Sequence, residues 1–172
     1  MKSLVIAVLL TNVFGFQAFA LGSDAYDSPI VEHAKKRIIQ ERIKASNAKE
    51  FKKWESFHAK NACRTAPELP GELCGSENMR VAIEELVISF PDYHLELVES
   101  FGAGLKYMAK IRARGTFLKA IDIGGGQIVP PTGKMFTQEW IANITFNKEG
   151  KIIRFEEFHD QLDIYKQLGL MD

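Results

Sequence analysis

The stretch Leu105-Lys-Tyr-Met-Ala-Lys-Ile-Arg-Ala-Arg114 alternates without a break. Leu105, Tyr107, Ala109, Ile111 and Ala113 fall on one side of an extended chain, and Lys106, Met108, Lys110, Arg112 and Arg114 fall on the other. A period of two marks a β-strand with one face on a core and a basic face toward solvent. Before it, Tyr93, Leu95 and Leu97 alternate with His94, Glu96 and Val98, which reads as a partner strand. After it comes a Gly- and Pro-rich loop from Gly115 to about Lys134. A long strand, Met135 to Phe146, follows, then a tight turn at Lys148-Glu149-Gly150 and a partner from Lys151 to His159. The segment from Gln161 to Leu170 is read as a final helix, with Asp160 as its cap and Asp163 favoured by the helix dipole.

Upstream of Pro91 the period is helical. Pro29 to about Ala45 places Ile30, Val31, Ala34, Ile38, Ile39 and Ile43 on one stripe. Asn47 is positioned to cap a second helix bearing Phe51, Trp54 and Phe57. Residues Ala66 to Gly75 are turn-rich, and Ser76 is positioned to cap a third helix with Met79, Ile83, Leu86 and Phe90, ended by Pro91. Helices first and an antiparallel sheet after them define an α+β domain, a curved antiparallel sheet wrapped over N-terminal helices. The strand Met135 to Phe146 is apolar on both faces. One face suits the core or a pocket, and the other is a candidate interface for a symmetric homodimer.

Residues 1–20 read as a signal peptide: Lys2, an apolar core, and Ala18-Phe19-Ala20 as the cleavage site. The expected mature protein is a single domain over 21–172, secreted or periplasmic, with no membrane association after cleavage. Acidic and basic residues balance at 22 each, which argues against a nucleic-acid partner. In an oxidising compartment Cys63 and Cys74 read as a disulfide, with two buried thiols as the alternative. His33, His58, His94 and His159 show no metal-ligand spacing, so no metal is expected.

Glu157 shares a strand face with Ile153, Phe155 and His159. If that face points inward, apolar neighbours desolvate the carboxyl and raise its pKa, as a proton-transferring group requires, and His159 can share the proton. If it points outward, Glu157 is a solvated strand residue. Asn143 and Glu139 share a face of their own strand, and Asn143 is placed to orient a carbonyl or enolate oxygen near Glu157. Tyr107 reads as cavity wall or as core. The run Gly124-Gly-Gly126 to Gly133-Lys134 lacks the spacing and the Ser/Thr of a phosphate loop.

Several motifs, in order, resemble the SnoaL-like polyketide cyclase branch of the nuclear-transport-factor-2-like superfamily. They are Asn47 to Phe57 (NAKEFKKWESF), Gly75-Ser-Glu-Asn-Met79, Phe90-Pro91-Asp92 and Gly115-Thr116. Further on come Pro130-Pro131-Thr132-Gly133-Lys134, Gly150-Lys151-Ile152 and Gln167-Leu168-Gly169. The resemblance implies a cone-shaped α+β barrel, usually dimeric, whose pocket closes a polyketide ring without cofactor or metal. It places the acid/base on Glu157. The family's assisting His position falls on Asn143, and a further pocket His falls near Thr65. The strand-face reading and the resemblance together give Glu157, Asn143 and His159 as the candidate catalytic set and Tyr107, Glu139, Phe155 and Thr65 as the candidate ligand pocket. The first expectation is an exported domain whose apolar pocket binds a small organic ligand, polyketide-like or carbonyl-bearing. The alternatives are a cofactor-free ester or aldol cyclase or isomerase using Glu157, and a non-catalytic dimerising scaffold.

Overall fold

A computed structural model describes residues 29–122 and 125–171, so the expected signal peptide lies outside the described residues. Helix α1 spans Pro29–Asn47 and helix α2 spans Phe51–Ser56; strand β1 (His58–Thr65) and the short β2 (Leu73–Cys74) follow. Helix α3 is Ser76–Ser89, and the long strands are β3 (His94–Ala103) and β4 (Lys106–Thr116). The Gly/Pro segment forms a two-stranded ribbon, β5 (Ile121–Asp122) with β6 (Ile128–Val129). Strands β7 (Met135–Phe146) and β8 (Ile152–Phe158) and helix α4 (Gln161–Leu168) close the fold. Among the described residues no helix is long and apolar enough to cross a membrane.

The main sheet runs β2-β1-β8-β7-β4-β3. Its pairings are antiparallel except β1 with β8, which is parallel, so the sheet is mixed rather than purely antiparallel. Tyr107, Ala109, Ile111 and Ala113 are all buried, as the alternation of β4 requires. Phe136, Trp140, Ala142, Ile144 and Phe146 of β7 are buried on the same side. They pack with Ile39 and Ile43 of α1 and with Phe155 of β8 into one core. The other face of β7 is not sealed: Met135 is 58% exposed, and Glu139 forms ion pairs with Lys110 and Arg112 of β4. A bulge opposite the Thr145–Phe146 step resets the register, so Ile152 and Phe155 are both buried although they lie three positions apart.

Two expected caps fall elsewhere. Helix α1 continues through Asn47, whose side chain joins the helix to β3 by donating to Leu95 O and accepting from Leu95 N, both at 2.8 Å. Gly75, with φ +95°, precedes α3 in place of Ser76, which lies inside the helix. Asp160 does cap α4, accepting from Asp163 N at 3.1 Å, and Gly169 ends it in the left-handed conformation.

Cys63 and Cys74 form a disulfide between opposed residues of β1 and β2. The two are separated by 11 positions, so loop-closure entropy gives the bridge about 2–3 kcal/mol. Reduction with the chain kept folded is expected to lower the urea midpoint accordingly, and an unchanged midpoint would show that β1 is held without it.

Candidate functional site

Between α3, α4 and the inner face of the sheet lies a cavity with two lobes, of about 780 and 600 Å³. The lobes share Arg64, Glu68, Leu86, Tyr93, Trp140 and Glu157 among their walls. The first lobe adds Arg42 and Ser46 of α1, Trp54 of α2, and Met79 and Ile83 of α3. The second adds Phe90, Phe136, Gln138, His159 and the inner side of α4.

The polar centre is an ion-pair network at the junction of the lobes. Arg64, near the end of β1, grips Glu157 of β8 at both oxygens: Nε donates to Oε1 at 2.7 Å and Nη2 to Oε2 at 3.0 Å. The Glu157 side chain is only 9% exposed. The parallel pairing of β1 with β8 brings these two residues together. Arg64 Nη2 also donates to Glu68 Oε1 at 2.6 Å, and Glu68 Oε2 lies 3.3 Å from His159 Nε2. Burial alone would raise the Glu68 carboxyl, but the His159 hydrogen bond and the Arg64 charge outweigh it and hold it at about 2. Burial pulls the His159 ring down, while Glu68 and Gln161 pull it up further, so its net shift is upward. Desolvation, with Glu157 adding to it, lifts Tyr93 well above the usual phenol range and keeps its hydroxyl a donor.

A second cation sits behind this network. The Arg42 guanidinium lies 4.1 Å from the Phe155 ring centroid and 4.7 Å from that of Trp54. Its Nε donates to His58 Nε2 at 3.1 Å. Because Arg42 can only donate, His58 Nε2 must accept, which leaves Nδ1–H to donate to Trp54 O at 3.1 Å. Burial, reinforced by the Arg42 charge, pushes His58 down to about 3. Burial likewise lowers Arg42 to about 10.

The expected site residues do not all meet. Glu157 and His159 both line the cavity, but His159 pairs with Glu68 and Gln161 rather than with Glu157. Glu157 is gripped by a guanidinium instead of lying in an apolar wall. Asn143 corrects the expectation of a shared cavity. Its register partner is Glu156, to whose Oε2 its Nδ2 donates at 2.8 Å on the opposite face of the sheet. Glu139 is also on that outer face, bound to Lys110 and Arg112. Tyr107 is buried core, its hydroxyl donating to Ser100 Oγ at 3.0 Å. Thr65 pairs with Glu156 in register and is not among the lining residues, while its neighbour Arg64 is. Phe155 lies beneath Arg42 as support for the wall and is itself fully buried. The sequence reading passed over Arg42, Arg64, Glu68 and Tyr93. Arg42 did carry a signal, since it falls on the apolar stripe of α1 with Ile38, Ile39 and Ile43.

Among the described residues the cluster with metal-ligand spacing is Cys63, Glu72 and Cys74, and its two sulfurs are bonded to each other. A thiolate is the metal-binding form of cysteine, so this cluster offers no such ligand while the bridge stands.

Among the described residues, a curved sheet backed by helices, with a carboxylate-bearing cavity between them, defines the α+β cone class of fold. The chain belongs to the SnoaL-like polyketide cyclase family, whose model matches residues 36–168. Its fold is shared by a Jannaschia sp. CCS1 protein assigned as a SnoaL-like polyketide cyclase, at TM-score 0.71 and 17% identity, over 84% of this chain and 97% of that one. TsrD from Streptomyces laurentii aligns at TM-score 0.69 and 20% identity, over 81% and 97% of the two chains. A Catenulispora acidiphila protein with a ketosteroid isomerase-like fold aligns at TM-score 0.63 and 11% identity, over 77% and 92%. No curated protein sequence matches the chain.

Proposed function

We propose that the chain is an exported SnoaL-type protein whose cavity binds a small organic, carbonyl-bearing ligand. The observation that carries this reading is Glu157, anchored by Arg64 and facing a deep and mainly apolar cavity. Apolar walls hold the ligand body, and the few convergent polar groups set its orientation. Binding ranks above catalysis because both Glu157 oxygens already accept from Arg64. The disulfide supports export, as such bridges persist in oxidising compartments. A homodimer would use the outer sheet face, where Ile141 pairs with the exposed Phe158.

Native mass spectrometry of protein purified from its own host is expected to show a mass excess of several hundred daltons, roughly the mass a cavity of this size accommodates. That excess should vanish on denaturation. A bare chain at every preparation would refute the binding reading.

Proton transfer is the second reading, favoured by the nearly complete burial of the Glu157 side chain. Glu157 would take a proton from the carbon next to the ligand carbonyl, and the electron pair would move onto the carbonyl oxygen, held there by the Tyr93 hydroxyl. Its signature is deuterium incorporation at that carbon in heavy water, lost in Glu157→Gln.

A further inference from the structure

Arg42 differs from the charged groups at the junction of the two lobes. Arg64 is matched by Glu157 and Glu68, and Glu68 in turn is matched by His159. Among the described residues no carboxylate lies within ion-pair distance of Arg42. The residue is only 4% exposed, and the nitrogen it gives to His58 is Nε, which leaves the fork of Nη groups. One turn further along α1, Ser46 is 3% exposed and its Oγ has no hydrogen-bond partner. Arg42 and Ser46 line the same lobe. A buried guanidinium with no carboxylate in contact, its main charge support coming from Glu157, which Arg64 already holds, sits beside a buried hydroxyl without a partner, and both are left incompletely matched.

We propose that the first lobe takes an organic carboxylate, with the acid group seated on Arg42 and Ser46 and the apolar body lying along Met79, Ile83 and Leu86. A planar guanidinium fork matches a carboxylate at two points, and the hydroxyl supplies a third. The flanking Trp54 and Phe155 rings hold the guanidinium plane in place before any ligand arrives. Even lowered to about 10, Arg42 carries its charge at neutral pH. This inference rests on the binding reading above and names the ligand class it would accept.

The test is isothermal titration of the full chain, disulfide intact, with dodecanoate and with dodecan-1-ol, which differ only in the head group. The carboxylate is expected to bind at least about tenfold tighter, the margin of a charge-assisted hydrogen-bond pair. Arg42→Met, which keeps the stem between the two rings, should bring the two probes to parity, while Arg42→Lys should retain most of the preference. Ser46→Ala should shrink the preference about threefold. Equal binding of both probes to the wild type, or a preference that survives Arg42→Met, overturns the carboxylate inference and leaves the cavity reading standing. If neither probe binds, the carboxylate inference falls, and the binding reading is decided by the native mass spectrometry above. Should Arg42→Met fail to fold, Ser46→Ala decides, and an undiminished preference there overturns the proposal.

Discussion

Arg64→Leu is expected to cost about 3 kcal/mol, because it strands the Glu157 carboxylate in a low-dielectric wall with no cation against its oxygens. The Glu157 side chain is 9% exposed, so water cannot take over the role of the guanidinium fork. Glu68 loses the same partner but keeps His159, which limits its share of the damage. For a domain of this size the loss corresponds to a fall in melting temperature of about 10 °C. The double variant Arg64→Leu with Glu157→Leu should recover most of it, since removing both charges leaves none unpaired. A loss below about 1 kcal/mol in the single variant would place the pair in the class of surface ion pairs.

The second large effect is acid sensitivity centred on His58. Its folded pKa of about 3 lies below the ordinary 6.5, so the unfolded chain binds the proton more readily. Stability from the neutral ring is therefore fully present above pH 6.5 and is lost as the pH falls toward 3, at about 1.4 kcal/mol per unit. Between pH 6.5 and 4.5 the expected loss is about 2 kcal/mol, read from urea midpoints. Glu68 does not contribute in that window, because its stabilisation fades only as the pH drops below 4.5 toward 2. His159, shifted upward, contributes stability that is complete below 6.5 and lost as pH rises, so it leaves the acid limb unchanged. His58→Gln should flatten the slope, and an equally steep wild-type and variant profile would remove His58 as its source.

The alternation of β4, the β7–β8 turn and the cap at Asp160 were legible because each rests on local chemistry: period, glycine and a short acceptor side chain. Strand β1 was not. His58-Ala-Lys-Asn-Ala-Cys-Arg-Thr65 has one β-branched residue and no alternation, and its pairing depends on β8, some ninety residues away, and on the disulfide. Missing β1 meant missing Arg64, the residue that defines the environment of Glu157. Asn143 was misplaced for a different reason. Strand parity alone puts it with Met135 and Ile141, away from Trp140 and Ala142, and a shift of one residue exchanges the faces. The family's position for an assisting side chain therefore falls on the outer face of β7 in this chain.

A ligand is expected against the Arg64–Glu157 pair, between α3 and the sheet. A crystal structure of the protein purified from its own host addresses this most directly. The predicted result is electron density for a compact organic molecule in the cavity, with a polar atom within hydrogen-bond distance of Glu157, Tyr93 or Arg42. Ordered water alone throughout the cavity, or a ligand bound outside it, would contradict the account.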